Sequence, residues 1–482
     1  MKAAGLWGGA ALLVASLTAC AAPPPVVHEG PVVVVTLGGV RADAVGFLGA
    51  DPGRLTPHLD AFAAEADWAG PAVAPSSIGL VSLASYATGL GAWAHGVGLG
   101  ETPLDLPAEL RTLGEALGER GYRSAAYLPP WLEQAPGWGQ GLGFRRDLGG
   151  GARAAGHLES LAGDRDFVWV HLGDAEAPFA RHDAFFVRLP PLPGELLAAL
   201  PERLTQADLE ALRDPAAPAG ALERAAVDVL YRLAVAAADQ RLGELLAALR
   251  SGGGWDEALV VVASTHGQEL VEPGAWGLAR QRIEVPLAVK LPRGLAGERA
   301  RALLAADARP AAARLWATVA EAVGAAVPPA AAPSLFAAAP GALSELYLGD
   351  GVNETSWVEG DLQLLRRVRF LPPAEPSSPG PSLHDFRLAR LGVLEGGGDP
   401  RAVVARVEDA FAAAPCWAGR GAPETALLAW RDGGAEPADD PARLREMAAA
   451  MERRRLAFAP CDETPAATAA RRAAERSAAA GG

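Results

Sequence analysis

Several polar side chains stand where chemistry would be done: Ser82, His171, Asp174, Glu176, His182 and His266. Imidazoles and carboxylates bind divalent metals and move protons in general acid–base catalysis. A hydroxyl such as that of Ser82 becomes a nucleophile once a base takes its proton. Each also has a plainer reading. His171 closes an apolar stretch, and His182-Asp183 reads as a solvated loop. Ser82 stands where serine caps a helix N-terminus. Arg41 and Asp43 are expected to pair and hold the fold, and Trp131, Trp138, Trp276 and Trp417 line either a pocket or a core.

The elements that position these residues follow from periodicity. Pro31–Leu37, Asp166–Leu172, Ala258–Ser264 and Val285–Leu291 are apolar, β-branched runs that read as strands buried on both faces, with Arg123–Leu128 as one more. Helices are expected over His58–Ala69, Ser82–Leu90, Leu106–Arg120, Ala221–Arg250, Ala308–Val323, Arg401–Ala413 and Pro441–Ala457. Alternating strands and helices imply an α/β sandwich with a mostly parallel central sheet. In such sheets the site lies beyond the carboxyl ends of the strands. Those ends are Gly38-Gly39, the stretch near Asp174, and Thr265-His266. From about residue 300 the texture changes, and 344–370 reads as two strands joined near Gly360-Asp361.

The N-terminus reads as an export signal. Lys2 precedes an apolar run over Gly5–Leu17, too short to span a bilayer comfortably. The run ends in Leu17-Thr18-Ala19-Cys20, which resembles the lipobox of bacterial lipoproteins. Cleavage before Cys20 would free it for acylation, and two or three chains anchor a protein stably. With Ala21 after the cysteine, the outer membrane is the expected address. The expected organisation is a signal peptide over 1–19, a tether over 20–30, an α/β domain over 31–300, a C-terminal subdomain over 301–464, and a disordered tail over 465–482. Cys416 and Cys461 remain, an even number that permits a disulfide in an exported chain. The net charge of −14 argues against a nucleic-acid partner.

A family likeness then enters through ordered motifs. Val32–Asp43 (VVVVTLGGVRAD) resembles the opening strand of the sulfatases, which usually continues Thr-Leu-Asp-Thr-Leu-Arg-Ala-Asp. Thr56-Pro57-His58-Leu59-Asp60 is similar to their Thr-Pro-Asn-Leu-Asp. Ala74-Pro75-Ser76 through Ser82, Thr88-Gly89-Leu90 and His95-Gly96-Val97 follow their nucleophile segment. Tyr231, Asp239 and Leu242-Gly243 resemble the helix before the second metal segment, and Leu259–Leu270 resembles that segment itself. The resemblance implies an alkaline phosphatase/sulfatase-like α/β sandwich with a smaller C-terminal α+β subdomain. It also implies a hydrolase that uses a divalent cation and a formylglycine, serine or threonine nucleophile.

The departures fall on the catalytic positions. By the resemblance, Gly38 and Gly39 stand at metal carboxylates, Thr265 replaces another, and His266 is retained. Gly79 occupies the nucleophile position, with Val81 and Leu83 replacing other motif residues and Ser82 surviving. Glu176 takes the place of a substrate-binding histidine. Glycine offers no side-chain ligand, and a glutamate removes positive charge from an anion site. No cofactor is therefore expected, and the leading expectation is an envelope pseudoenzyme that binds or scaffolds, with a glycan or an envelope protein as partner. The alternative is a sulfuric-ester or phosphoester hydrolase with a repositioned site, dependent on calcium or manganese.

Overall fold

The computed structural model describes residues 27–369 and 424–455, apart from 51–53, 99–103, 109, 145–150, 162–164, 215, 273–276, 296, 298–308, 329–330, 338, 340, 349–351 and 432–433. Cys20, Cys416, Cys461, Trp276, Trp417, the expected helix over Arg401–Ala413 and the tail over 465–482 lie outside the described residues.

The central sheet is built from β1 (Val32–Leu37), β2 (Trp68–Val73), β3 (Arg123–Tyr127), β4 (Asp166–Leu172), β7 (Leu259–Ser264) and β8 (Glu284–Lys290). A two-stranded ribbon, β5 (Phe179–Ala180) with β6 (Arg203–Leu204), follows β4. The order in the large sheet is β2-β8-β7-β1-β4-β3. β3, β4, β1 and β7 run parallel, whereas β8 and β2 are antiparallel to their neighbours.

Every residue of β1 and β7 is buried, as their unbroken apolar runs require. Alternation then splits them between two cores. Val33, Val35 and Leu37 pack with the long helix Ala221–Ser251, while Val32 and Val34 pack with the side of the sheet that carries Gly79–Thr88 and Arg314–Ala322. Each fully buried valine or leucine contributes about 1.5–3 kcal/mol, so both faces anchor the strand ends firmly. We label the helices α1 (Pro57–Glu65), α2 (Gly79–Thr88), α3 (Ala221–Ser251), α4 (Arg314–Ala322) and α5 (Pro441–Arg455).

Several elements depart from expectation. The first helix stops at Glu65, and Trp68–Val73 is a strand rather than its continuation. Gly70 and Pro71 oppose a helix there, and proline is tolerated because β2 pairs only with β8 at the sheet edge. The helix expected over Leu106–Arg120 is confined to Leu113–Gly118. It starts late because Thr112 and Glu115 form a reciprocal capping box.

The region expected to hold two strands holds three: β9 (Ala342–Leu348), β10 (Val352–Glu359) and β11 (Leu362–Arg369), the last two turning at Gly360. With β12 (Glu424–Arg431) and β13 (Gly434–Pro437) they make a separate antiparallel sheet, and α5 packs on it through Met447 and Met451. At the start of β8, Glu284 binds both Arg280 and Arg309, and both guanidinium groups lie over Trp430 of β12, at 5.2 and 5.4 Å from the ring centre.

Candidate functional site

The register of three strands sets the site. Leu37 stands level with Leu172 of β4 and Ser264 of β7. The next residues therefore emerge together: Gly38 donates its N–H to Leu172 O at 2.8 Å, and Thr265 donates to Leu37 O at 2.8 Å. This is the point where a parallel strand has neighbours on both sides, and a crevice opens beyond it. α2 begins beside it, with Ile78 extended before the first helical residue Gly79.

A cleft of about 350 Å³ lies there, lined among others by Gly79, Trp131, His171, Glu176, His266 and Arg282. A second hollow of about 270 Å³ shares Trp131, His171 and Glu176 and reaches Arg241.

Glu176 occupies the centre. A Cβ placed on Gly38 would fall 2.4 Å from Glu176 Oε1, and one placed on Gly79 would fall 2.9 Å from the same oxygen. A Cβ on Gly79 would also approach His266 Cε1 at 3.1 Å. The carboxyl thus fills the space that side chains at both glycines would need. Gly39 is closed in another way: its φ is +73°, and a Cβ would meet Ala175 O at 2.4 Å. No L-residue side chain fits that backbone without strain.

Two threonines orient the two histidines. Thr36 Oγ1 accepts from Trp169 Nε1 at 3.1 Å and stands 3.0 Å from His171 Nδ1 and 3.4 Å from Val170 O. Thr265 Oγ1 stands 2.9 Å from His266 Nδ1 and 3.3 Å from Leu37 O. Nδ1 of each ring is thereby engaged by a threonine, and Nε2 is the nitrogen left for a ligand. Burial pushes His266 down to about 4; burial, helped by neighbouring His266, pushes His171 down to about 3. Both imidazoles are neutral at physiological pH.

His171 Nε2 lies 3.9 Å from Glu176 Oε1. The Glu176 side chain is 36% exposed, but that exposure is to the cleft, whose walls desolvate the carboxyl and push it up to about 7.

The far wall was not legible in the sequence. Arg213 and Arg282 both bind the Glu269 carboxylate, Arg213 at 3.1 Å, and Arg213 Nε also donates to Leu270 O at 2.5 Å. Burial lowers Arg282 to about 10. Arg241 pairs with Asp174 at 3.2 Å. Gln206 and Arg213 come from the segment between β4 and α3, whose contact with the cleft depends on chain folding rather than on spacing. Glu269 was visible only as part of the stretch after His266.

The expected site residues divide accordingly. His171, Glu176 and His266 meet in the cleft, with Gly79 and Leu83 in its wall. Asp174 and His182 do not line it; Asp174 is buried behind, its carboxyl raised chiefly by burial. Ser82 is not the cap of α2: it lies inside the helix, is fully buried, and donates to Ser76 O at 3.2 Å. That hydroxyl is held by the fold. Arg41 forms the expected pair with Asp43 at 2.6 Å and also binds Glu272. Trp138 is core, and Trp131 is 48% exposed at the cleft mouth.

The divalent cation implied by the resemblance does not fit these residues. Gly38 and Gly39 offer no ligand, Thr265 Oγ1 is engaged by Leu37 and His266, and Glu176 sits where a Gly38 side chain would reach. Among the described residues no three His, Cys, Asp or Glu side chains are placed to hold a metal ion.

No protein-family model matches the chain. No curated protein matches it in sequence either. Its fold, in contrast, recurs among solved structures. One is a candidate sulfatase from Bacteroides thetaiotaomicron VPI-5482, at 15% identity and TM-score 0.54, covering 70% of this chain and 83% of that one. Another is the phosphonate monoester hydrolase of Agrobacterium radiobacter, at 16% identity and TM-score 0.51, covering 70% and 87%. A third is an alkaline phosphatase superfamily protein from Vibrio parahaemolyticus, at 14% identity and TM-score 0.50, covering 89% and 86%. The largely parallel sheet, the separate antiparallel sheet and these likenesses give the chain the fold of the sulfatases and the wider alkaline phosphatase superfamily.

Proposed function

We propose that this sulfatase-like chain has given up ester hydrolysis and serves in the cell envelope as a binding or scaffolding protein, anchored by a lipid on Cys20. One observation carries the loss of hydrolysis. The Glu176 carboxyl occupies the space above Gly38 and Gly79, where the resemblance places metal and nucleophile. A carboxyl there brings no positive charge to the sulfate or phosphate oxygens that such a site must attract. The retained cleft, still open to ligands and walled by paired arginines, supports the binding role.

The test combines metal analysis of the purified protein with a turnover screen on aryl sulfates and phosphodiesters. Absence of stoichiometric calcium or manganese together with absence of turnover is the expected result. Stoichiometric metal at the strand ends, or turnover that disappears in His266→Ala, would overturn it. For the anchor, Cys20→Ala should move the protein from the membrane fraction to the soluble envelope fraction; unchanged fractionation would count against it.

A second reading, a hydrolase with a repositioned site, draws on one feature. Glu176, raised to about 7, and neutral His266 line one cleft, and a carboxyl poised near neutrality suits proton transfer. The same screen separates the two.

A further inference from the structure

The floor of the cleft brings a carboxyl and two imidazoles together, with no hydrogen bond between the carboxyl and its histidine neighbour. His171 and His266 each turn Nδ1 to a threonine hydroxyl, which leaves Nε2 of each ring for a ligand. His171 Nε2 lies 3.9 Å from Glu176 Oε1, beyond hydrogen-bond length. A donor seated between the two would serve both.

The charged groups of the wall do not supply it. Arg213 and Arg282 are held by Glu269, and Arg241 by Asp174. Above the floor stands Trp131, its exposed ring part of the same cleft wall, and an aromatic face attracts cations.

We propose that the cleft takes its ligand through a primary ammonium group, seated against Glu176, His171 and His266 and covered by Trp131. An ammonium carries three N–H donors, one for each of these three groups. A cleft of about 350 Å³ suits an amine borne on a ring of sugar size. The inference rests on the binding reading above and names the chemistry of its ligand.

The test is calorimetric titration of the purified chain with cyclohexylamine, with its uncharged match cyclohexanol, and with inorganic sulfate. Cyclohexylamine should bind at least tenfold more tightly than cyclohexanol, and sulfate should not compete. Glu176→Gln, nearly isosteric, should cost at least tenfold in amine affinity. Trp131→Ala, at a half-exposed position, should weaken the amine severalfold.

Equal affinity for amine and alcohol, an unchanged Glu176→Gln, or sulfate binding that strengthens in that variant would overturn the proposal. So would the absence of any amine binding at about 10 mM. None of these results requires ester turnover, so loss of the amine site leaves the non-hydrolytic reading standing, and turnover in the screen defeats that reading by itself.

Discussion

His171 and Glu176 face each other at 3.9 Å, Nε2 to Oε1, across the end of β4. Five residues apart in sequence, they are brought together by the turn that starts at Gly173, whose carbonyl accepts from the Glu176 N–H at 3.1 Å. The pair sets a neutral imidazole against a carboxyl that tends to keep its proton.

That arrangement predicts a pH signature. Folding raises Glu176 from its ordinary 4.5 to about 7. Across that window the folded chain holds a proton that the unfolded chain has released, so the Glu176 contribution to stability is present at low pH and is lost as pH rises toward 7. His171 and His266 act with the opposite sign. Their pKa values are depressed from 6.5, so acid favours the unfolded chain, which binds the protons first. Glu176→Gln removes only the first term. Urea unfolding of variant and parent at pH 5 and pH 8 should show the variant gaining relative stability at the higher pH. An identical difference at both values would refute the assignment.

Gly38 and Glu176 should be energetically coupled. The atoms that a Gly38 Cβ would strike are Oε1, Cδ and Cγ of Glu176, at 2.4, 2.6 and 2.8 Å, all on a side chain that can move. Gly38→Asp should cost about 1–3 kcal/mol, as overpacking does. Added to Glu176→Ala it should cost less, with a coupling of about 0.5–3 kcal/mol in a double-mutant cycle. Strict additivity would show that the carboxyl does not occupy that space.

Gly39 should behave differently. Its obstacle is the Ala175 carbonyl oxygen, a backbone atom, and its φ of +73° disfavours any other residue. Gly39→Ala should cost more than about 2 kcal/mol, and Glu176→Ala should not rescue it. Rescue would mean that the loop over Ala175-Glu176 moves as a unit.

How much of this was legible in the sequence differs by element. β1, β4 and β7 were readable because each is buried on both faces, so an unbroken apolar run marks it. β2 was not, since Gly70 and Pro71 interrupt its pattern and its pairing with β8 is distant in sequence. Gly38, Gly79 and Thr265 were legible as departures from the family pattern, through the resemblance. That Glu176 fills the vacated space was not, because it depends on a turn bringing one carboxyl over two glycines. The Arg213–Glu269–Arg282 wall was hidden for the same reason: its members lie on separate loops and no periodicity links them.

The junction between the two sheets should matter to the cleft as well as to stability. Arg280 and Arg309 both lie over the ring of Trp430, whose Nε1 donates to Gln363 Oε1 at 2.8 Å. Gln363 in turn donates to Leu278 O at 2.8 Å, just before the short helix Arg280–Ile283 that carries Arg282 to the cleft wall. Fully buried Glu354 accepts from Leu278 N at 3.0 Å and holds the same segment from the β10 side. Trp430→Ala removes a ring that two cations share and leaves Gln363 short of a partner, so a loss of about 3–5 kcal/mol is expected. Because the lost contacts join the sheets, urea unfolding should also broaden or split, with the antiparallel sheet melting first. Because the same segment carries Arg282, the variant should also loosen the cleft wall. A loss below about 1 kcal/mol with one sharp transition would mean that the two sheets are held together elsewhere.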